Sequence, residues 1–514
     1  MEKADLVLHE GRILEHPESD SVAVAAGSIV ALGPFNELKA LVGPRTHLVR
    51  LAGRTVAPGF IDSHLHYLEA AAASSGVSLW RCHTIADLLA ELRVAASKTP
   101  PGNWLRAFGC DETLLREGRG PTLAELDRTV PRNPLRLRHQ TLHASWLNSR
   151  AIKQFRFDNP DFKPPAGGFI ERDEAGRPTG FCAAMEELIG AGLPLVTAAE
   201  LESRARFFSR ELAAAGITAF TDATVRNGPD DVQLFAKLVS SGAISQRVGL
   251  MAGARYLEAI DQMAAAAHPG GIRIAGVKFM PNAAHGSGSL PRRVATALSK
   301  GLDCAFHVTE VEELEWALSA IEEARGNFGD PGTAICRIEH GGLIPSDYIE
   351  RIAAAGAWVV TNPGFIHYRG SKYAGEPGLL PSTYRARSLA AAGINLAGAS
   401  DAPVTPARPL TAIAAAISRT SVEGYELAPA EGLDPHDAFA LFTSDAARLA
   451  RLEAGRIATG CLADLIVLAK DPAGLNAAEL MNLPVDITII GGRVVYERGR
   501  PALASSASAE LHST

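Results

Sequence analysis

Nine short apolar runs recur between residues 55 and 400, most of them separated by Ala- and Leu-rich stretches of helical spacing, and this βα rhythm limits the fold more than any other feature. They lie at 55–61, 134–139, 217–223, 246–252, 274–280, 304–308, 335–340, 358–362 and 394–400. Nine is one too many for an eight-stranded barrel. A βα unit takes ~30 residues, yet the first and third runs are several such lengths apart. The run at 134–139 is therefore assigned to a large insertion after strand one, spanning 67–200, and the other eight close an α/β, TIM-like (β/α)8 barrel. An insertion at that position sits over the C-terminal mouth and shapes access to it.

The two chain ends have a different texture. Residues 5–56 alternate short strand-like segments with Gly, Pro and Asn turns, and 463–468 and 486–496 repeat the pattern. Neither end has enough strands to bury a core alone. The expected organisation is a small composite β-sandwich domain from 1–56 and 455–514, and a barrel domain over 57–454 that includes the insertion.

With 514 residues, 47% hydrophobic and 21% charged, the chain can bury a sizeable core. A net charge of -7 gives no electrostatic footprint for nucleic acid. No apolar run approaches the ~20 residues that cross a bilayer, and the first residues lack a signal-peptide core. The expectation is a cytoplasmic protein with neither membrane nor nucleic acid as partner. The six cysteines are scattered with no CxxC pair, which argues against a disulfide framework or a thiolate zinc site and fits reduced, buried thiols.

Ionisable residues fall at the ends of the barrel runs, where barrel active sites are built. The first run ends in Asp62-Ser-His-Leu-His; strand alternation puts His64 and His66 on one side, and two neutral imidazoles make half of a divalent-metal site. Lys278 is an amine in an otherwise apolar run, His307 and His340 stand at the ends of two later runs, and Asp401 follows the last. Singly, each has an ordinary reading: a strand-end histidine satisfied locally, an aspartate starting a turn, a lysine whose amine reaches out of the barrel. Jointly, six such positions on five strand ends compose the set that metal chemistry asks for.

In its order HxH, Lys, His, His, Asp the chain resembles the amidohydrolase superfamily, and its text is most similar to the YtcJ-like branch, amidohydrolase family 3, which includes N-substituted formamide deformylases. The stretches that carry the resemblance are Ala57-Pro-Gly-Phe-Ile-Asp-Ser-His-Leu-His, His143-Ala-Ser-Trp-Leu-Asn-Ser-Arg-Ala, Gly167-Gly-Phe-Ile-Glu-Arg-Asp-Glu-Ala-Gly-Arg-Pro-Thr-Gly, Ala399-Ser-Asp-Ala-Pro-Val and Thr459-Gly-Cys-Leu-Ala-Asp-Leu-Ile-Val-Leu. The third and fifth have little catalytic chemistry in them and so support common ancestry independently of the site.

The resemblance implies a site of one or two divalent ions. His64 and His66 would hold the more buried ion with Asp401, His307 and His340 the second, and Lys278, carboxylated on its amine, would bridge them. Carboxylation turns a costly buried cation into an anionic oxygen ligand. Zinc suits such nitrogen and oxygen ligands, as do manganese, iron or nickel. The implied enzyme hydrolyses a carbon–nitrogen bond of a small amide, formamide or cyclic amide through a metal-activated water, with Asp401 as general base. His143, His285 and Glu310 are assigned to the substrate, and the resemblance implies a homodimer. The chain departs from the branch after Lys278, where Phe279-Met-Pro-Asn-Ala-Ala-His-Gly-Ser replaces an Asp-Gly pair, and after His307, where Val308-Thr-Glu brings in Glu310. Both departures leave the ligands intact and bear on specificity. Two other functions compete: hydrolytic deamination or attack on a non-amide bond with the same machinery, and a binding protein that kept the barrel but lost turnover. The second would be marked by a missing ligand, and none is missing.

Overall fold

The computed structural model describes residues 3–500 apart from 75, 142, 166, 195, 269–270, 282–285 and 329–331, with the main chain alone at 286–288 and 327–328. Its centre is an eight-stranded parallel sheet whose strands follow one another in chain order: Phe60–Leu65, Ile217–Asp222, Arg247–Gly253, Ile272–Phe279, Cys304–Val308, Cys336–His340, Trp358–Thr361 and Leu396–Gly398. These are barrel strands one to eight. Strand one is buried at every position, as a strand covered on both faces must be. Just past strand eight the sheet meets strand one again: the Asp401 N–H donates to the His64 carbonyl (2.8 Å) and the His66 N–H to the Ala402 carbonyl (2.7 Å). Helices pack outside on a core that includes Phe220, Phe235, Val277, Phe306, Leu318, Ile338 and Ile413.

One expectation is corrected here. The run through Thr55 to His66 is two strands rather than one. Thr55–Pro58 pairs antiparallel with Leu465–Leu468 in a terminal sheet, and the barrel strand starts only at Phe60. The break falls at Gly59, where a Cβ would lie 2.3 Å from the Thr218 methyl, so a bare backbone is needed for the chain to cross between sheets.

Two small sheets use both chain ends. One has four strands, in the order Ser28–Gly33, Ser21–Ala25, Leu6–His9 and His47–Arg50; the other has five, Arg12–Ile13, Thr55–Pro58, Leu465–Leu468, Val485–Ile490 and Arg493–Glu497. Leu6, Leu8, Val22 and Val24 from the first pack with Val56, Leu465, Val467 and Ile487 from the second in one buried cluster.

The insertion has its own six-stranded mixed sheet, ordered Phe169–Arg172, Pro178–Ala183, Ala144–Leu147, Leu135–His139, Leu105–Cys110 and Val77–Ser78. The helices Ile85–Lys98 and Leu123–Thr129 cover it and share a core with Leu88, Leu126, Leu137 and Trp146. The second of these helices opens on a reciprocal cap: the Thr122 hydroxyl accepts from the Glu125 N–H, and the Glu125 carboxylate accepts from the Thr122 N–H. Arg119 adds two N–H bonds of 3.0 Å to the same carboxylate and holds it down to about 2. A depressed folded pKa contributes stability above the unfolded value and loses it as pH falls through the folded one. After solvent screening the contribution is on the order of 1 kcal/mol. The wild type should therefore outlast Glu125→Gln in thermal unfolding at pH 7, and the gap should close between pH 4.5 and about 2. A gap independent of pH would show that the cap works without its charge.

Candidate active site

The C-terminal ends of the barrel strands bring the predicted residues together. His64 closes strand one almost completely buried, and its Nδ1 bonds Glu339 of strand six. That carboxylate is held in turn by Arg337, whose Nη2 also donates to the Ser63 carbonyl (2.7 Å), so strands one and six are tied by one buried charge network. With Nδ1–H donated to Glu339, the lone pair of His64 is on Nε2, which faces Asp401 Oδ1 at 3.5 Å. His66 is oriented in the same way: its Nδ1 bonds the Thr224 hydroxyl (2.9 Å) and its Nε2 lies 3.1 Å from Asp401 Oδ1.

Asp401 follows strand eight, and below it Asp62 accepts the N–H groups of Ser400 (3.0 Å) and His64 (3.2 Å), fixing the two chain segments that carry the ligands. Burial pushes Asp62 up to about 6. His340 ends strand six with its Nδ1 on the Asn362 side-chain carbonyl (2.9 Å) and its Nε2 3.1 Å from His307 Nδ1. The rings of His64 and His340 are 4.8 Å apart, which joins the two histidine pairs into one cluster. Both His340 (φ 71°) and Asp401 (φ 57°) occupy the left-handed region. Non-glycine residues held there cost on the order of 1 kcal/mol each, and such strain concentrates where a side chain must be aimed.

The electrostatics prepare lone pairs. Burial is the first cause that lowers His64, to about 3, and His307, to about 2, and it also takes His340 below its ordinary range, so these imidazoles are neutral at neutral pH. Burial alone would raise Asp401, but His340, His66 and His64 more than offset it and hold the carboxyl well below the usual carboxylate range. Lys278, in strand four, is 2% exposed, and burial lowers it to about 8 against the pull of Glu339 and Asp401.

Three buried polar atoms at this centre have no hydrogen-bond partner: His64 Nε2, Lys278 Nζ and Asp401 Oδ1. Leaving buried groups unsatisfied costs ~1–3 kcal/mol each, so their convergence calls for a bound group. Ligand atoms of His64, His66 and Asp401 lie within 4.8 Å of one another. Burial opposes a charge on His66, but Asp401 raises its pKa overall, so a cation binding there would displace a proton from this ring; two imidazole nitrogens with a carboxylate oxygen are what a divalent cation binds. The donor set fits a metal.

Other assignments fare differently. Glu310 is exposed, and its charge bears on Tyr373 near the mouth. His143 is exposed at the start of an insertion strand, with its carbonyl accepting from Ala184, and no contact joins it to the histidine cluster among the described residues. His285 lies outside the described residues. Glu339, Arg337, Asp62, Asn362 and Thr224 were not anticipated, although ions at 337 and 339 in an apolar strand that ends in His340 are a readable sign of a buried network.

A second cluster, Asp111, Glu112 and His139, lies in the insertion. There His139 Nδ1 accepts the Thr141 N–H (3.0 Å), so the ring proton is on Nε2, 3.3 Å from Glu112. That nitrogen is a donor to carboxylates rather than a metal ligand.

The sequence profile of the amidohydrolase family matches residues 48–496. N-substituted formamide deformylase of Arthrobacter pascens is 27% identical over 93% of this chain and 95% of the relative. The putative amidohydrolase YtcJ of Bacillus subtilis (strain 168) is 25% identical over 94% of this chain and 97% of the relative. An uncharacterized metal-dependent hydrolase from Pyrococcus horikoshii OT3 superposes with a TM-score of 0.70 at 22% identity, over 92% of this chain and 99% of that one, a likeness of fold. The chain belongs to the amidohydrolase family, in its YtcJ-like branch, and is a hydrolase of carbon–nitrogen bonds.

Proposed function

We propose that this enzyme uses one or two divalent ions, zinc first among them, to hydrolyse a small amide or formamide. The observation that carries the reading is the convergence of three unpartnered buried atoms, His64 Nε2, Lys278 Nζ and Asp401 Oδ1, beside His66. His64, His66 and Asp401 would hold one ion; His307 and His340 would hold a second, with a carboxylated Lys278 between them. Bound there, the metal supplies an activated water and polarises the scissile carbonyl. The rest is done by the chain. Glu339 keeps the proton of His64 on Nδ1, away from the centre, and the Thr224 hydroxyl holds the His66 ring in place. Asp401, kept ionised by its imidazole neighbours, takes a proton from the attacking water and returns it to the leaving nitrogen. The N-substituted formamides named for the Arthrobacter relative are the first substrates to try.

The test joins metal analysis of the purified protein with a screen of N-substituted formamides and simple amides, reading amine plus carboxylic acid against ammonia. Chelator-sensitive release of amine and acid is expected. Substoichiometric metal, or turnover indifferent to chelator, would overturn the metal reading; ammonia as the sole nitrogen product would replace amide cleavage with deamination.

A further inference from the structure

The helix Pro363–Ala374 leaves strand seven beside the site, and the residue ahead of it, Asn362, holds His340. Its first turn places the Phe365 ring parallel to His340, with centroids 6.4 Å apart and an interplanar angle of 19°. One turn on, the helix kinks at Arg369 (φ -132°, ψ 15°), and the guanidinium lies over the Phe365 ring, 5.4 Å from its centroid. The Tyr384 ring meets Phe365 edge-on at 5.8 Å, and its hydroxyl is 3.3 Å from that of Tyr373. Both phenols feel the Arg369 charge, and Tyr384 also feels Asp401, so the guanidinium belongs to the same electrostatic neighbourhood as the proposed ligands.

What sets Arg369 apart is that it is unpaired. Its Nε is enclosed and has no hydrogen-bond partner, and no carboxylate is in ion-pair range of the guanidinium among the described residues. Arg136 and Arg325 also have one enclosed nitrogen without a partner, but each makes another hydrogen bond, to the Ser145 hydroxyl and the Ala355 carbonyl, and two buried arginines near the site are matched closely. Arg337 is paired with Glu339, and Arg419 donates to the carbonyls of Leu427 (2.8 Å), Tyr384 (2.9 Å) and Thr383 (3.1 Å). An enclosed Nε without an acceptor is a costly arrangement unless something brings the acceptor to it. The planar fork of the guanidinium is matched by a carboxylate, which accepts two parallel N–H bonds. The Phe365 ring, in contact with both His340 and Arg369, offers an apolar surface to the carbon chain that would separate such a carboxylate from a scissile bond at the histidine cluster.

We propose that Arg369, with the Tyr373 hydroxyl beside it, is a specificity-determining anion anchor that selects amide or formamide substrates carrying a free carboxylate, of the N-formyl amino acid class. This rests on the carbon–nitrogen hydrolase reading above, and the test separates the two. The zinc-loaded full chain is assayed against N-formylglycine, N-formyl-β-alanine, N-formyl-4-aminobutyrate and N-formyl-6-aminohexanoate, each beside its primary amide. Affinity is read as KM where a probe is turned over and as a calorimetric Kd where it is not. At least one chain length should bind about 10- to 100-fold tighter as the carboxylate than as the amide, the range expected for hydrogen bonds to a charged group. Arg369→Leu should abolish that preference while leaving zinc content and amide affinity unchanged, and Arg369→Lys should retain part of it. Arg369→Gln serves as the second uncharged variant if the leucine protein is poorly folded. The anchor is overturned if the wild type shows no carboxylate preference at any length, or if loss of the charge weakens carboxylate and amide alike. A preference that depends on Arg369 with no probe hydrolysed would uphold the anchor and reject hydrolysis of this substrate class.

Discussion

Lys278→Ala should lose most of its bound metal and on the order of 10²-fold in activity, and a short carboxylic acid such as acetate or propionate should restore part of both. The reasoning starts from the two forms the side chain can take. As an ammonium, Lys278 is a buried cation between Glu339 and Asp401, and it repels any divalent ion at the histidine cluster. Removing it would then leave metal binding unchanged or improved, and added acid would have nothing to replace. As a carbamate it is an anionic oxygen ligand, and the alanine variant leaves a space that an exogenous carboxylate can fill. We propose the second form on one count: Nζ is buried with no hydrogen-bond acceptor among the described residues, which suits neither an ammonium with three donors nor a resting neutral amine. Metal stoichiometry of the variant, measured with and without the acid, decides between them. Metal content equal to wild type in Lys278→Ala would remove the lysine from the ligand set.

The same residues show why part of this site could be read from the chain and part could not. His64, His66, His307, His340 and Asp401 stand at the ends of apolar strands, where burial and chain direction aim a polar group into the barrel mouth whatever the distant sequence does. Their partners obey no such local rule. Thr224 and Asn362 are ordinary polar residues until folding sets them against His66 and His340, and Glu339 becomes a support for His64 only because strand six lies across the barrel from strand one. The fold shows a similar division. Strands two to seven were legible as apolar runs with helices between them. The continuity of 55–66 misled because both halves are buried and apolar, and only the contact of Gly59 with Thr218 reveals the crossing between sheets. In the insertion, Leu135–His139 was visible and the 169–183 hairpin had its turn signals, but Val77–Ser78 is two residues long and is a strand only because Leu105–Cys110 pairs with it. Of the aromatics there, Trp146 belongs to the insertion's own core, whereas Trp80 reaches Tyr368 of the barrel, with ring centroids 6.0 Å apart.

Glu339→Gln is the change expected to damage the site most while altering its shape least. Glu339 is fully buried and accepts from both His64 Nδ1 and Arg337, which, with burial opposing them, keep its carboxyl well below the usual range. An amide in its place can present oxygen to one partner only. If the oxygen stays on Arg337, the amide N–H₂ faces His64 Nδ1 and drives the ring proton to Nε2, where the metal lone pair has to be. If the amide turns round, it sets donor against donor at Arg337. Either way metal affinity should fall about 10- to 100-fold, and the uncompensated charge of Arg337 should cost ~3 kcal/mol of stability. A double variant, Arg337→Met with Glu339→Leu, separates these effects. It removes both buried charges and fills their volume, so the stability should largely return. Metal affinity should remain low, because nothing then fixes the tautomer of His64. Equilibrium unfolding followed in parallel with zinc titration reads both quantities. Recovery of metal affinity together with stability in the double variant would show that Glu339 serves to neutralise Arg337, and that His64 needs no carboxylate to turn its lone pair towards Asp401.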